Sequence, residues 1–194
     1  MKNKILTTLA VVGLAVAAQA TPVTFTFQEN GSQVNLGNQS TFTSGGVSIT
    51  AYADGNGSLW AKLLGGESGL GLTSDTSGQN EITVGHFIQL GLPTTPITTL
   101  SLVFLTSITS GERADVYFSN TKGTLGGLIG SVTSNTSFDV SAYTSGYIGI
   151  SAGIGNVLVE SLTADLRTPD GGSTMLLMGS ALTAIGLIRR KLVA

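Results

Sequence analysis

The sequence predicts an all-β protein: an antiparallel β-sandwich or jelly-roll-like domain flanked by two apolar terminal segments. Three observations predict it. Apolar and polar residues alternate at period two through most of residues 21–166. Glycine-rich turn signals interrupt that alternation at a spacing of roughly ten residues, the rhythm of sandwiches and barrels. No segment before Ser173 shows a convincing helical period.

The strands follow in order. Val23, Phe25 and Phe27 alternate with Thr24 and Thr26, and Val47, Ile49 and Ala51 alternate with Ser48 and Thr50. Leu59 to Leu64 reads as a strand rather than a helical turn. Ile82 and Val84, then Phe87 to Leu90, continue the pattern, and the apolar run from Ile97 to Thr106 has the character of a central strand. Val116 and Phe118 sit opposite Tyr117. Segments 128–132, 137–140, 147–151 and 157–166 complete the set. Gly45-Gly46, Asp54-Gly55, Gly65-Gly66, Gly91 to Pro96, Ser110-Gly111 and Asn120 to Gly123 supply the turns.

The two ends differ from this body. Lys2 and Lys4 precede an uncharged apolar run, Ile5 to Ala18, and Ala18-Gln19-Ala20 forms an A-x-A cleavage site. Residues 1–20 therefore read as a secretory signal peptide, handled by the Sec translocon and signal peptidase, with a mature chain starting at Thr21. At the other end, residues 173–188 form an uncharged apolar run. As a helix it reaches about 24 Å, slightly less than the ~30 Å hydrocarbon core, a deficit that flanking residues or local thinning absorbs. Arg189, Arg190 and Lys191 close it as a basic stop, which stays cytoplasmic by the positive-inside rule. The body, residues 21–167, then lies outside the inner membrane.

Composition excludes several functions. Residues 29–170 hold all eleven acidic side chains against four basic ones, a formal charge of −7. An acidic, charge-poor body is unsuited to nucleic acid, which needs basic patches. There is no cysteine, hence no disulfide framework and no thiolate chemistry.

Candidate chemistry is sparse. His86 is the one histidine; it sits in an apolar strand, and no G-x-S-x-G elbow accompanies it. A strand histidine with a satisfied ring is the plainer reading. Asp54-Gly55-Asn56-Gly57-Ser58 resembles an EF-hand loop superficially. However, Leu59 occupies the required glycine position and Gly65 the required glutamate, so the segment reads as a hairpin turn. Asp75 and Glu81 flank a polar loop that offers a calcium site, with a solvated loop as the plainer alternative. Trp60, together with Tyr52 or Tyr117, is the candidate sugar platform, against a core tryptophan. Paired carboxylates for glycoside hydrolysis would have to come from Glu67, Asp75, Glu81, Glu112, Asp115 or Glu160, and sequence brings no two of them together.

The segment joining body to tail reads Thr168, Pro169, Asp170, Gly171, Gly172, Ser173, Thr174. Pro169 fixes one backbone angle and keeps Thr168 extended, while Gly171-Gly172 separates the segment from the helix behind it. An extended, accessible peptide is held at a membrane surface. Residues 168–194, taken as polar motif, apolar helix and basic cluster, resemble a PEP-CTERM sorting domain, in the variant V-P-D-G-G-S-T with Thr168 in place of Val. The resemblance implies recognition and cleavage by an exosortase in a Gram-negative bacterium, and delivery to the cell surface or extracellular matrix. More loosely, the body is similar to a β-sandwich type found upstream of such tails, through Gly69-Leu70-Gly71-Leu72, Asn80-Glu81-Ile82 and Ala114-Asp115-Val116-Tyr117. A non-enzymatic surface protein, without a cofactor and associated with exopolysaccharide in a biofilm, is the first expectation; a carbohydrate-binding module and a small envelope hydrolase are the alternatives.

Overall fold

The computed structural model describes residues 21–27, 33–64, 66–74, 78–93, 97–105, 111–166, 178–183 and 185. The chain divides into two compact units, residues 20–167 and a second made of residues 1–19 and 168–194. In the second unit only residues 178–183 and 185 are described. They are helical, with Met178, Leu182 and Ile185 exposed. Among the described residues no helix is long and apolar enough to cross a membrane. Most of the apolar run 173–188, the signal peptide with Ala18 and Ala20, the motif 168–174 and the cluster 189–191 lie outside the described residues.

The first unit is all strand: β1 (Thr21–Thr26), β2 (Val34–Gly37), β3 (Gln39–Ser44), β4 (Val47–Ala53), β5 (Leu59–Leu64), β6 (Glu67–Leu72), β7 (Ile82–Thr83), β8 (Phe87–Gly91), β9 (Ile97–Leu105), β10 (Arg113–Ser119), β11 (Gly127–Val132), β12 (Ser137–Asp139), β13 (Tyr147–Ile154) and β14 (Asn156–Leu166). They form two antiparallel sheets. One runs β12-β9-β14-β6-β5-β2, with β1 and β7 also paired to β14; the other runs β11-β10-β13-β8-β4-β3.

The predicted alternation is met in β1 and β4. Val23, Phe25 and Phe27, and Val47, Ile49 and Ala51, all point into one core shared by both sheets. Phe27 and Phe42 meet there edge to face, centroids 4.9 Å apart. Gly45 and Gly46, both at positive φ, make the two-residue turn between β3 and β4. Such a turn matches the twist of a hairpin and asks for φ > 0 at both positions.

Two features depart from simple alternation. In β14, Val157 and Val159 face the core, but so do Leu162 and Ala164, of opposite parity. The register against β9 shifts between Val159 and Ser161. Glu160 is the extra residue of a β-bulge, which flips the facing of everything after it. Val84, expected in a strand, lies instead in an exposed turn after β7.

The turn at Asp54 to Ser58 is real, but it is not a hairpin. β4 pairs with β3 and β8 in one sheet, whereas β5 pairs with β2 and β6 in the other. The turn therefore crosses between sheets. Asp54 Oδ1 caps it by accepting from the Asn56 amide at 3.0 Å.

Candidate functional site

Three polar constellations stand out, and the first two are structural. On β5, Leu59 and Ala61 are buried toward the other sheet, so Trp60 and Lys62 share the opposite face. Their partners across the ladder are Gly71 and Gly69. A Cβ on Gly71 would run into the Asn80 carbonyl oxygen, and one on Gly69 would come within 2.7 Å of the Val159 carbonyl. The bare Gly69 thus lets the β14 backbone come close, and the bare Gly71 lets the segment around Asn80 and Glu81 lie across this face. Beneath it Lys62, 1 % exposed, donates to Glu67 Oε2 at 2.6 Å and to Glu81 Oε1. Desolvation pushes the Glu81 carboxyl above its ordinary range in spite of Lys62. The Lys62 ammonium is also raised: burial opposes its charge, but the two carboxylates outweigh burial.

This arrangement corrects two expectations. Glu81 is buried against an ammonium, so its carboxylate is not a loop ligand for calcium; Asp75, its expected companion, lies outside the described residues. Among the described residues no three His, Asp or Glu side chains gather as a metal site. Trp60 is half-buried, and its Nε1 is shut off from solvent with no hydrogen-bond partner. It belongs to the sheet opposite Tyr52 and Tyr117, so the expected Trp60–tyrosine platform does not form.

The second constellation holds His86. Its Nδ1 lies 2.7 Å from Asp54 Oδ2, and the Asp54 side chain is almost fully buried. Ser151 Oγ donates to the backbone carbonyl of His86 at 2.7 Å, not to the ring. The pair fastens the sheet-crossing turn to the turn before β8: the ring has a partner, but His86 stands in that turn and not in the expected strand. Arg113 likewise forks onto Asp115, at 2.8 and 3.0 Å, across the face of Gly153.

The third constellation is an open groove on the outer face of the six-stranded sheet. Register places Gly91 of β8 between Thr50 of β4 and Tyr147 of β13, with Tyr52 beside Gln89 one pair along. Tyr52 and Tyr147 meet edge to face with centroids 6.1 Å apart. Ser48, Thr50, Leu92, Pro93 and Ser145 complete a groove of about 410 Å³. Lys122 Nζ lies 3.9 Å over the Tyr52 ring and 3.5 Å from Gln39 Oε1. The loop bearing Lys122 is tied down by buried Gln89, which donates to the Thr124 carbonyl at 2.7 Å and accepts from the Gly123 amide at 2.6 Å. Tyr52 is visible in the sequence as an aromatic candidate. Tyr147 and Gly91 give no such sign, because only the ladder register brings three distant strands together.

Similarity to known proteins is confined to the tail. The VPDSG-CTERM motif matches residues 169–192. The chain carries a sorting tail of the PEP-CTERM/VPDSG-CTERM type. The match starts at Pro169, leaving Thr168 outside, and takes in the apolar run and the basic cluster. Such a tail marks an exported protein, secreted or at the cell surface. No curated protein and no solved structure matches the chain significantly.

Proposed function

We propose that this chain is an exosortase substrate of the V-P-D-G-G type, a non-enzymatic β-sandwich that ends at the cell surface or in the extracellular matrix. The sorting tail at residues 169–192 carries the reading. In the proposed route the Sec translocon exports the chain, signal peptidase cuts after Ala20, and the helix 173–188 holds the precursor in the inner membrane. The exosortase then reads the extended collar 168–174, and Arg189, Arg190 and Lys191 stop transfer.

The head supports a passive role. Among the described residues its buried titratable side chains are engaged in structural pairs: Lys62 with Glu67 and Glu81, Asp54 with His86, and Asp115 with Arg113. A hydrolase built on His86 lacks support, since Ser151 engages the backbone instead of the imidazole.

The test is maturation in the native host. Pro169→Ala with Asp170→Ala should leave precursor in the inner membrane, seen by fractionation and by intact mass of the accumulated protein. Normal processing of that double variant would sink the reading.

A further inference from the structure

We propose that the groove floored by Gly91 and walled by Tyr52 and Tyr147 binds the sugar rings of an uncharged polysaccharide. The proposal deepens the surface-protein reading, resting on it only for access to such a polymer.

The outer face of this sheet carries glycines on neighbouring strands, and their surroundings differ. Above Gly149 lies the Leu125 side chain, and above Gly153 the Arg113–Asp115 fork. The nearest atoms to a Cβ on Gly91 would be the Thr50 carbonyl oxygen at 3.4 Å and ring atoms of Tyr52 and Tyr147 at 3.4 and 3.6 Å, all at ordinary contact distance. Where its sister positions are covered, Gly91 opens into the groove. The volume, about 410 Å³, falls within the ~300–1,000 Å³ typical of ligand sites.

The lining is amphipathic in the way a pyranose is. The tyrosine rings offer apolar carbon surface to the C–H groups of a sugar, and Ser48, Thr50 and Ser145 offer hydroxyls that both donate and accept. The residues lining the groove are all uncharged, and the nearby Lys122 ammonium is engaged by the Tyr52 ring and Gln39, so the lining itself offers no ligand set for a phosphate or a metal ion. The net charge of −7 over residues 29–170 repels polyanions, which favours a neutral chain over a polyuronate. The walls are also set before any ligand arrives. Lys122 and Tyr147 hold Tyr52 from two sides, and Gln89 pins the loop that carries Lys122. A preformed wall costs little entropy on binding.

The test is titration calorimetry of the full chain in a zwitterionic detergent. The probes are cellohexaose, xylohexaose, mannohexaose and laminarihexaose, with an alginate oligomer as the charged comparison. Saturable binding of at least one neutral hexaose is expected, weakened about tenfold by Tyr147→Ala and by Tyr52→Ala. Ser145→Trp, at an exposed loop position, should block the groove without touching the sheet and decides the matter if an alanine variant fails to fold. Absence of binding by all four neutral probes, preference for alginate, or binding that survives these substitutions would overturn the proposal. The Pro169→Ala/Asp170→Ala chain should bind as the parent does, so this result and the sorting result fail independently.

Discussion

Lys62 and Glu81 form an ion pair whose side chains are almost wholly withdrawn from water, at 1 % and 7 % exposure. Gly71 on the neighbouring strand leaves room for the Asn80–Glu81 segment, and Gly69 lets the β14 backbone approach at Val159. Removing one member of a buried pair strands the other charge. Lys62→Met should therefore destabilise the fold by about 3–5 kcal/mol in urea unfolding. Adding Glu81→Gln to that variant should restore about 2 kcal/mol or more, since the stranded charge is gone. If the double variant is as unstable as the single one, the loss comes from packing and not from charge.

The same pair sets a pH dependence. Burial raises Glu81 above its ordinary 4.5, so in the window just above that value the folded state holds a proton the unfolded chain has released. Its contribution is complete below 4.5 and falls as pH rises through the folded value. Lys62 is raised above 10.5; its contribution is complete below that value and is lost as pH climbs through the folded one. The stability difference between the parent and Glu81→Gln should decline as pH rises from 4.5. The parent should also weaken above pH 10.5 more steeply than Lys62→Met does. A difference that is flat, or that grows, as pH rises from 4.5 would contradict the Glu81 assignment.

Gly71 gives a steric prediction. A methyl group there meets the Asn80 carbonyl oxygen, which is backbone and cannot rotate away. Asn80 already sits at φ 60, in the left-handed region, so the segment has little freedom to retreat. Gly71→Ala should cost about 1–3 kcal/mol or more and expose Trp60, read as a red shift in its fluorescence. Gly66→Ala makes a useful comparison: it has open space, and only its positive φ is strained. An unshifted tryptophan spectrum in Gly71→Ala would mean that the Asn80 segment does not cover this face.

What the sequence discloses and what it hides follow from the range of the interactions concerned. Val23, Phe25 and Phe27 declare their strand because alternation is local and one face is buried. The tail is legible for a similar reason: motif, apolar run and basic stop are contiguous. The bulge at Glu160 is hidden, since Val157 to Ala164 contains apolar residues of both parities and only pairing with β9 decides which face the core. The sheet-crossing turn at Asp54 looks like a hairpin because its turn chemistry is that of one. Lys62 and Glu81 are charged, which argues locally for solvent; their burial depends on a glycine face and a covering segment elsewhere in the chain. The Tyr52–Gly91–Tyr147 groove is hidden most completely, being assembled from three strands by register alone.

Gln89 links that groove to the fold. It is 1 % exposed on the face toward the loop after β10, where its amide donates to the Thr121 and Thr124 carbonyls and its oxygen accepts from the Gly123 amide. Each partner is a backbone group of the loop that places Lys122 over Tyr52. Gln89→Ala leaves those groups without their partner, at a cost of about 1–3 kcal/mol. Gln89→Glu keeps the acceptor but removes both donors and brings a charge under the loop, so it should be no better than alanine. Hydrogen exchange at the Gly123 amide should quicken in both variants, while exchange in β9 and β14, in the other sheet, stays slow. Loss of the anchor also frees Tyr52 from its cation, so the groove wall loosens before the sandwich does. Unchanged protection of Gly123 in Gln89→Ala would show that the loop is held by something other than this side chain.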